Sequence, residues 1–236
     1  MAKNIFNNLI FETTKTISFC LVAYVIIIWG LMQFQLINNF SPYEIVSTFL
    51  GIVYVILLRN QNNYLSFIVG IASTLALGLH FLDIDLKYTA YLYFFFFIPC
   101  QIVSLITWWK GDQEEDKEPL VPSFLTKKYM AITIAATVIV TAIFAKFFSD
   151  GSFFLRIADG SFFSLNVVAN ILIIKKKTDC WMFWCISNFF AASLFTFKAS
   201  YFTVALNFVY ITVNLIAMTK WAKDVTDKDA GWTEGK

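Results

Sequence analysis

Residues 180–221 read CWMFWCISNFFAASLFTFKASYFTVALNFVYITVNLIAMTKW, with formal charge only at Lys198 and Lys220. The runs on either side of Lys198, Cys180 to Phe197 and Ala199 to Thr219, each come close to the ~20 apolar residues that carry a helix across a hydrocarbon core. A pair of membrane helices joined by a short polar turn is the reading that decides the fold. Moving outward, Tyr129 to Ala145, Tyr88 to Trp109, Asn60 to Leu82 and Thr16 to Tyr43 are uncharged runs of the same kind. Two shorter ones remain: Ile45 to Leu58, bounded by Glu44 and Arg59, and Gly160 to Ile174, bounded by Asp159 and Lys175. The expectation is an all-α integral membrane protein of eight transmembrane helices.

Composition agrees. With 58% hydrophobic, 19% aromatic and 14% charged residues, and a mean hydropathy of +0.67, the chain lacks the polar surface to cover its apolar side chains in water. The first apolar run is long, begins only after Lys15 and has no small-residue cleavage site behind it, so it is expected to stay as a span rather than be removed as a signal. A net charge of +2, carried by basic residues placed for topology, suggests no nucleic-acid partner. Cys20, Cys100, Cys180 and Cys185 form neither a CxxC nor a metal-ligand spacing, which leaves them as packing residues. No nucleophile–base pair, metal cluster or phosphate loop occurs among the spans, so no enzyme, cofactor or metal function is expected.

Basic residues set orientation through their excess on the cytosolic side. Lys3, Lys15, Arg59, Lys110, Lys117, Lys127, Lys128, Lys175, Lys176, Lys177, Lys220, Lys223, Lys228 and Lys236 fall on one side of the eight-span scheme, and only Lys87, Lys146, Arg156 and Lys198 on the other. Both termini are therefore expected in the cytosol. Dropping either short span would scatter the lysine-rich loops to opposite faces.

The segment ending at Trp108 matches the segment ending at Trp221 when displaced by 113 residues: Tyr88 meets Tyr201, Phe95 meets Phe208, Ile98 meets Ile211 and Gln101 meets Asn214. Each half follows one plan of a short span, a tight loop, a span opening on an aromatic (Tyr64, Trp181), a polar turn with one Lys, and a span ending in Trp. Three helices per unit plus one linking helix give both units the same orientation, a parallel repeat common in transporters. The expected division is an extra N-terminal helix (1–40), a first three-helix repeat (41–110), a solvated connector (111–128), a linker helix (129–148), a second repeat (149–222) and a cytosolic tail (223–236). In each half the first helix is expected to be the short one, a pointer to a substrate site between repeats.

Trp181, Trp184, Ser187 and Asn188 share one helix face by their spacing. Two readings of this stripe are open: an aromatic belt at the headgroup level, or a ligand-facing surface, which Asn188 favours because an amide two turns deep needs a partner. Asn207, Tyr210 and Asn214 form a second polar stripe, Gln101 is the repeat counterpart of Asn214, and Asn166 and Asn170 lie one turn apart. Any one of these could be helix glue, worth about 0.6 kcal/mol, yet carboxamides and aromatics gathered in one half suit a flat, polar, weakly charged ligand. No Asp, Glu, Lys or Arg is expected deep in a span, which argues against coupling to protons or sodium through a carboxylate. His80, beside Asp83 at a helix end, is expected at the surface.

The pattern Trp181-x-x-Trp184-x-x-x-Asn188, followed by the Lys198 turn, the polar stripe of the last span and Trp221, resembles the C-terminal half of the Pnu vitamin transporters, their PnuC branch in particular. Gln101 with Trp108 and Trp109 ahead of a charged loop resembles their first repeat, and the likeness covers roughly Tyr43 to Trp221. One departure is that the Gly often found shortly before the final Trp is absent in both halves. The resemblance implies a 3+1+3 fold related to the SWEET sugar transporters, residence in a bacterial inner membrane, and nicotinamide riboside as substrate. It further implies facilitated diffusion made one-way by a cytosolic nicotinamide riboside kinase, and it leaves room for a homo-oligomer. Expected substrate-binding residues are Trp181, Trp184, Asn188, Gln101, Asn207, Tyr210, Asn214 and Asn170: indole faces can hold the cationic pyridinium, at about 0.5–2 kcal/mol per contact, and carboxamides can pair with its amide and hydroxyls. The other readings are a relative carrying thiamine, riboflavin or a nucleoside, a SWEET-type sugar transporter, and a membrane scaffold that transports nothing.

Overall fold

Apolar runs of this length can satisfy their backbone in lipid only as helices or closed barrels, and among the described residues there are helices and no strand. The computed structural model describes residues 41–60, 64–113, 121–149, 151–197 and 199–234, with scattered positions between 15 and 33. Helix α1 is Ser18–Gly30 and α2 is Pro42–Leu58. Helix α3 is Leu65–Asp83; α4 runs from Lys87–Leu92 through a π turn at Tyr93–Phe97 into Ile98–Gln113. Then follow α5 (Lys127–Phe147), α6 (Phe153–Ile174), α7 (Cys180–Phe197) and α8 (Tyr201–Glu234). Six of these, α3 to α8, are long and apolar enough to cross a membrane, and α1 and α2 are shorter apolar helices.

Local chemistry explains the ends. Pro42 opens α2, with Glu44 in its first turn, the position where a missing N–H costs nothing and a carboxylate meets the helix dipole favourably. Thr126 and Ser152 cap α5 and α6 by accepting from the amides of Tyr129 and Leu155. The tight turns after α3, α6 and α7 each place one non-glycine residue, Asp85, Lys176 and Ala199, at positive φ. The chain then closes back with Leu86 N donating to Phe81 O (2.7 Å), Lys177 N to Leu172 O (3.0 Å) and Ser200 N to Phe195 O (3.0 Å). This is the 6→1 bond that satisfies a helix's last carbonyls.

Three expectations change. The run Gly160–Ile174 is not a short span: with Ser152 as cap, α6 begins at Phe153 and takes in Arg156 and Asp159, reaching 22 residues. Ser149 meets Asp159 at 2.7 Å, so the carboxylate has a partner at the helix end. Residues 223–234, expected in a tail, continue α8. The described part of the connector is docked rather than solvated: Ser123 exchanges backbone bonds with Lys176 and Thr178, Lys177 Nζ donates to Ser123 Oγ (2.7 Å) and Leu125 N donates to Asp179 Oδ2 (2.7 Å).

The helices pack in a closed ring: α2 on α3, α3 on α4, α4 on α6, α6 on α7, α7 on α8, and α8 back on α2. Helix α5 packs on α6, where a Cβ on Gly160 would lie 2.7 Å from Thr141 O, so glycine permits the close approach. Tyr24 of α1 reaches Thr48 Oγ1 at 3.5 Å.

Aromatic side chains close the lysine-rich end of the ring. Trp108, near the end of α4, donates through Nε1 to Ile173 O on α6 (3.1 Å), and Trp221 on α8 donates to Arg59 O after α2 (3.0 Å). Each indole donates to a carbonyl at the C-terminal end of a helix in the other half; Arg59 O follows α2, and Ile173 O, in the last turn of α6, also accepts from Lys176 N at 3.0 Å. Their rings lie 6.0 Å apart; Phe67 meets Trp108 edge-on at 4.9 Å, and Trp181 meets Trp221 edge-on at 5.3 Å. Buried Lys176 places its ammonium 4.5 Å from the Trp108 ring, a cation–π contact that offsets part of the cost of its removal from water.

Candidate functional site

The ring encloses a cavity of about 110 Å³. All six ring helices contribute to its wall: Tyr54 from α2, Ser73 and Thr74 from α3, Tyr93 and Gln101 from α4, Asn166 and Asn170 from α6, Trp184 and Asn188 from α7, and Asn207, Tyr210 and Asn214 from α8. Among the described residues lining it, none is Asp, Glu, Lys, Arg or His.

The carboxamides are held mainly by their own helices. Asn166, Asn170 and Asn207 donate to the carbonyls of Phe162 (2.8 Å), Asn166 (2.9 Å) and Thr203 (2.6 Å), four residues back in each case. Among the described residues of the wall, two side-chain amides bridge to another helix: Asn166 to Ser187 Oγ, and Gln101 Nε2 to Thr74 Oγ1 at 2.7 Å. An Asn whose donors are taken by its own backbone does little to join helices but keeps its acceptor in a fixed direction. Gln101 Oε1 is buried with no hydrogen-bond partner, a loss of ~1–3 kcal/mol that a ligand donor would recover.

Glycines set the close approaches. A Cβ on Gly51 would collide with the Tyr210 hydroxyl, and one on Gly70 would come within 2.7 Å of the Tyr54 ring and 2.8 Å of Gln101 Oε1. Both tyrosines therefore reach the cavity across a neighbour that has no side chain. At the end of the cavity away from the lysine-rich loops, Phe81 and Phe195 stack with centroids 5.5 Å apart and planes within 3°.

Seven of the eight sequence-derived candidates, Trp184, Asn188, Gln101, Asn207, Tyr210, Asn214 and Asn170, lie on this one wall. Trp181 does not. It is fully buried, wedged between Trp184 (5.3 Å) and Trp221 (5.3 Å), so it supports Trp184 from behind. The sequence reading missed Tyr54, Ser73, Thr74, Tyr93 and Phe97; the spacing of Ser73, Leu77 and Phe81 along one face of α3 was the available signal.

One further expectation is corrected: His80 is 2% exposed rather than at the surface. Beside it Glu44, in the first turn of α2 and so at a helix end rather than deep in a span, is 7% exposed. Glu44 Oε1 accepts from Ser200 Oγ (3.1 Å) and Thr203 Oγ1 (2.9 Å) and lies 3.7 Å from His80 Nε2. These contacts tie α2 to α3 and to the start of α8, where Thr203 also lines the cavity.

Residues 41–223 match the family model described as "Nicotinamide mononucleotide transporter". Among solved structures, one described as "Crystal structure of the Vitamin B3 transporter PnuC" matches with a TM-score of 0.69 at 18% identity, over 93% of this chain and 92% of that one. At that identity the likeness carries the fold. No curated protein matches the chain.

Proposed function

As a member of the nicotinamide mononucleotide transporter family, the chain is a multi-pass membrane transporter and not an enzyme, and we propose that it takes up nicotinamide riboside by facilitated diffusion. The observation that carries this reading is the cavity wall: carboxamides, tyrosines and one indole, with no charged residue among the described residues lining it. A pyridinium ring can lie against Trp184 or a tyrosine. Its carboxamide can donate to Gln101 Oε1, and the ribose hydroxyls match the asparagine acceptors. A mononucleotide would bring a phosphate, and the described residues of the wall include no Lys or Arg to receive it. Thiamine, riboflavin, nucleosides and sugars are competitors to be tested, and membership of a transporter family sets a scaffold aside.

In this reading α2–α4 and α6–α8 are parallel three-helix repeats, α5 links them and α1 is an addition. The reciprocal bonds of Trp108 and Trp221 support it, because each joins the third helix of one unit to the first helix of the other. The lysine-rich end faces the cytosol of a bacterial cell, and a kinase there traps the riboside by phosphorylation. Binding to purified protein tests the substrate: saturable binding of the riboside, unaffected by excess riboflavin or thiamine, is expected, and displacement by either would reassign it. In proteoliposomes at zero membrane potential the riboside should equilibrate. Accumulation driven by a proton or sodium gradient would overturn facilitated diffusion.

A further inference from the structure

Resting on the riboside reading, we infer that Glu44 selects for positive charge at the mouth of the transport path opposite the lysine-rich end. A carboxylate removed from water carries a penalty of several kcal/mol. As a helix tie, its acceptor role could be filled by an uncharged carboxamide. Its partners form a loose set: Ser200 Oγ, Thr203 Oγ1 and His80 Nε2 all converge on the single oxygen Oε1, the last at 3.7 Å. The His80 ring is buried, and neither of its nitrogens has a hydrogen-bond partner, so the imidazole is not committed to the carboxylate by a formed bond. The single Ser200 hydroxyl proton has two acceptors within reach, Glu44 Oε1 at 3.1 Å and Thr203 Oγ1 at 2.9 Å, so Ser200 can keep its bond to Thr203 when the carboxylate turns away.

Position gives this charge its use. Thr203 both donates to Glu44 and lines the cavity, and Phe81, next in sequence to His80, lines it too. The carboxylate thus stands one side chain from the ligand space, at the junction of α2, α3 and α8. A pyridinium passing this junction can exchange its water for the Glu44 carboxylate, while a neutral analogue of the same shape gains nothing from the charge. The uncharged wall then holds the cation without a fixed counter-ion, so capture at the mouth does not become retention at the centre.

The test compares nicotinamide riboside with its 1,4-dihydro form, which keeps the carboxamide and ribose but has a neutral ring. Initial uptake of each is measured in proteoliposomes at zero potential and sub-saturating concentration. Wild type should favour the cation, and Glu44→Gln, which preserves an acceptor for both hydroxyls, should lower the cation-to-neutral ratio about tenfold. Glu44→Asp should keep the preference whatever it does to the rate. A ratio unchanged within about twofold in Glu44→Gln, even with both rates reduced, would make Glu44 a structural tie and overturn the inference. Should that variant not fold, wild type still decides: equal uptake of the two forms overturns charge selection. Wild type that transports neither form refutes the riboside reading itself, a result distinct from both.

Discussion

The two halves of the ring share a frame but not a wall. Trp108 and Trp221 make mirrored bonds to the ends of α6 and α2, Phe67 and Trp181 back them edge-on, and the turns after α3 and α7 close through the same backbone bond, with Asp85 and Ala199 at positive φ. Where these shared features place α3 over α7, the cavity diverges: Trp184 falls where the first half has Gly70, and Asn188 where it has Thr74. The frame needs equal partners, because each half caps the other. A small asymmetric ligand would not, and the asparagines and the indole of the cavity wall are concentrated in the second half.

The comparison breaks first at the frame. Trp108→Ala and Trp221→Ala should each cost ~3–5 kcal/mol of stability, by similar amounts, in thermal unfolding of detergent-purified protein; a variant of either that melts like wild type would end the claim of mutual capping. Next comes the wall. Trp184→Ala should weaken riboside binding by ~1–3 kcal/mol, the range for one lost stacking partner, with Trp184→Phe recovering much of it. Its counterpart Gly70→Ala should act by displacing Tyr54, lowering stability by ~1–3 kcal/mol. An unchanged Kd in Trp184→Ala would take α7 out of the site.

Smaller effects sharpen the contrast. Asn188→Leu should raise Kd by about tenfold with folded yield preserved. Thr74→Val, which deprives Gln101 Nε2 of its acceptor, should instead cost ~0.5–1.5 kcal/mol of stability; equal effects on affinity would mean that the halves share the reading of the ligand. Smallest is the difference at the helix starts. Ser152→Ala removes a cap that α6 uses, worth ~0.5–2 kcal/mol. Ser41, which makes no cap on α2, should tolerate Ala within ~0.5 kcal/mol.

Much of the frame was legible because hydropathy, lysine placement and paired tryptophans are signals of single residues or runs. Boundaries drawn at charges failed where a partner lies near the helix end: Asp159 meets Ser149, and α6 starts seven residues before Gly160. The wall was legible where carboxamides mark it. Ser73, Thr74 and Tyr54 were not, since hydroxyls in an apolar helix can as well bond their own backbone, as Thr137 does to Thr133 O. Trp181 and His80 were misplaced for a related reason. Periodicity assigns a helix face, but only packing decides whether that face meets lipid, cavity or another ring.

The π turn of α4 has a consequence for descent. Helix α4 begins at Lys87 and α8 at Tyr201, and the positive-φ residues before them are Asp85 and Ala199, so the helix starts are 114 residues apart. The 113-residue displacement that pairs Tyr88 with Tyr201 in the sequence does not hold there, although Trp108 and Trp221 are separated by 113. One copy therefore holds a residue that the other lacks, and the wide turn at Tyr93–Phe97 is where a helix can absorb a single insertion without unwinding. If the halves arose by duplication, the wide turn marks where their lengths came to differ by one residue. The difference is contained within α4, so the indole that closes the opposite unit stays in register.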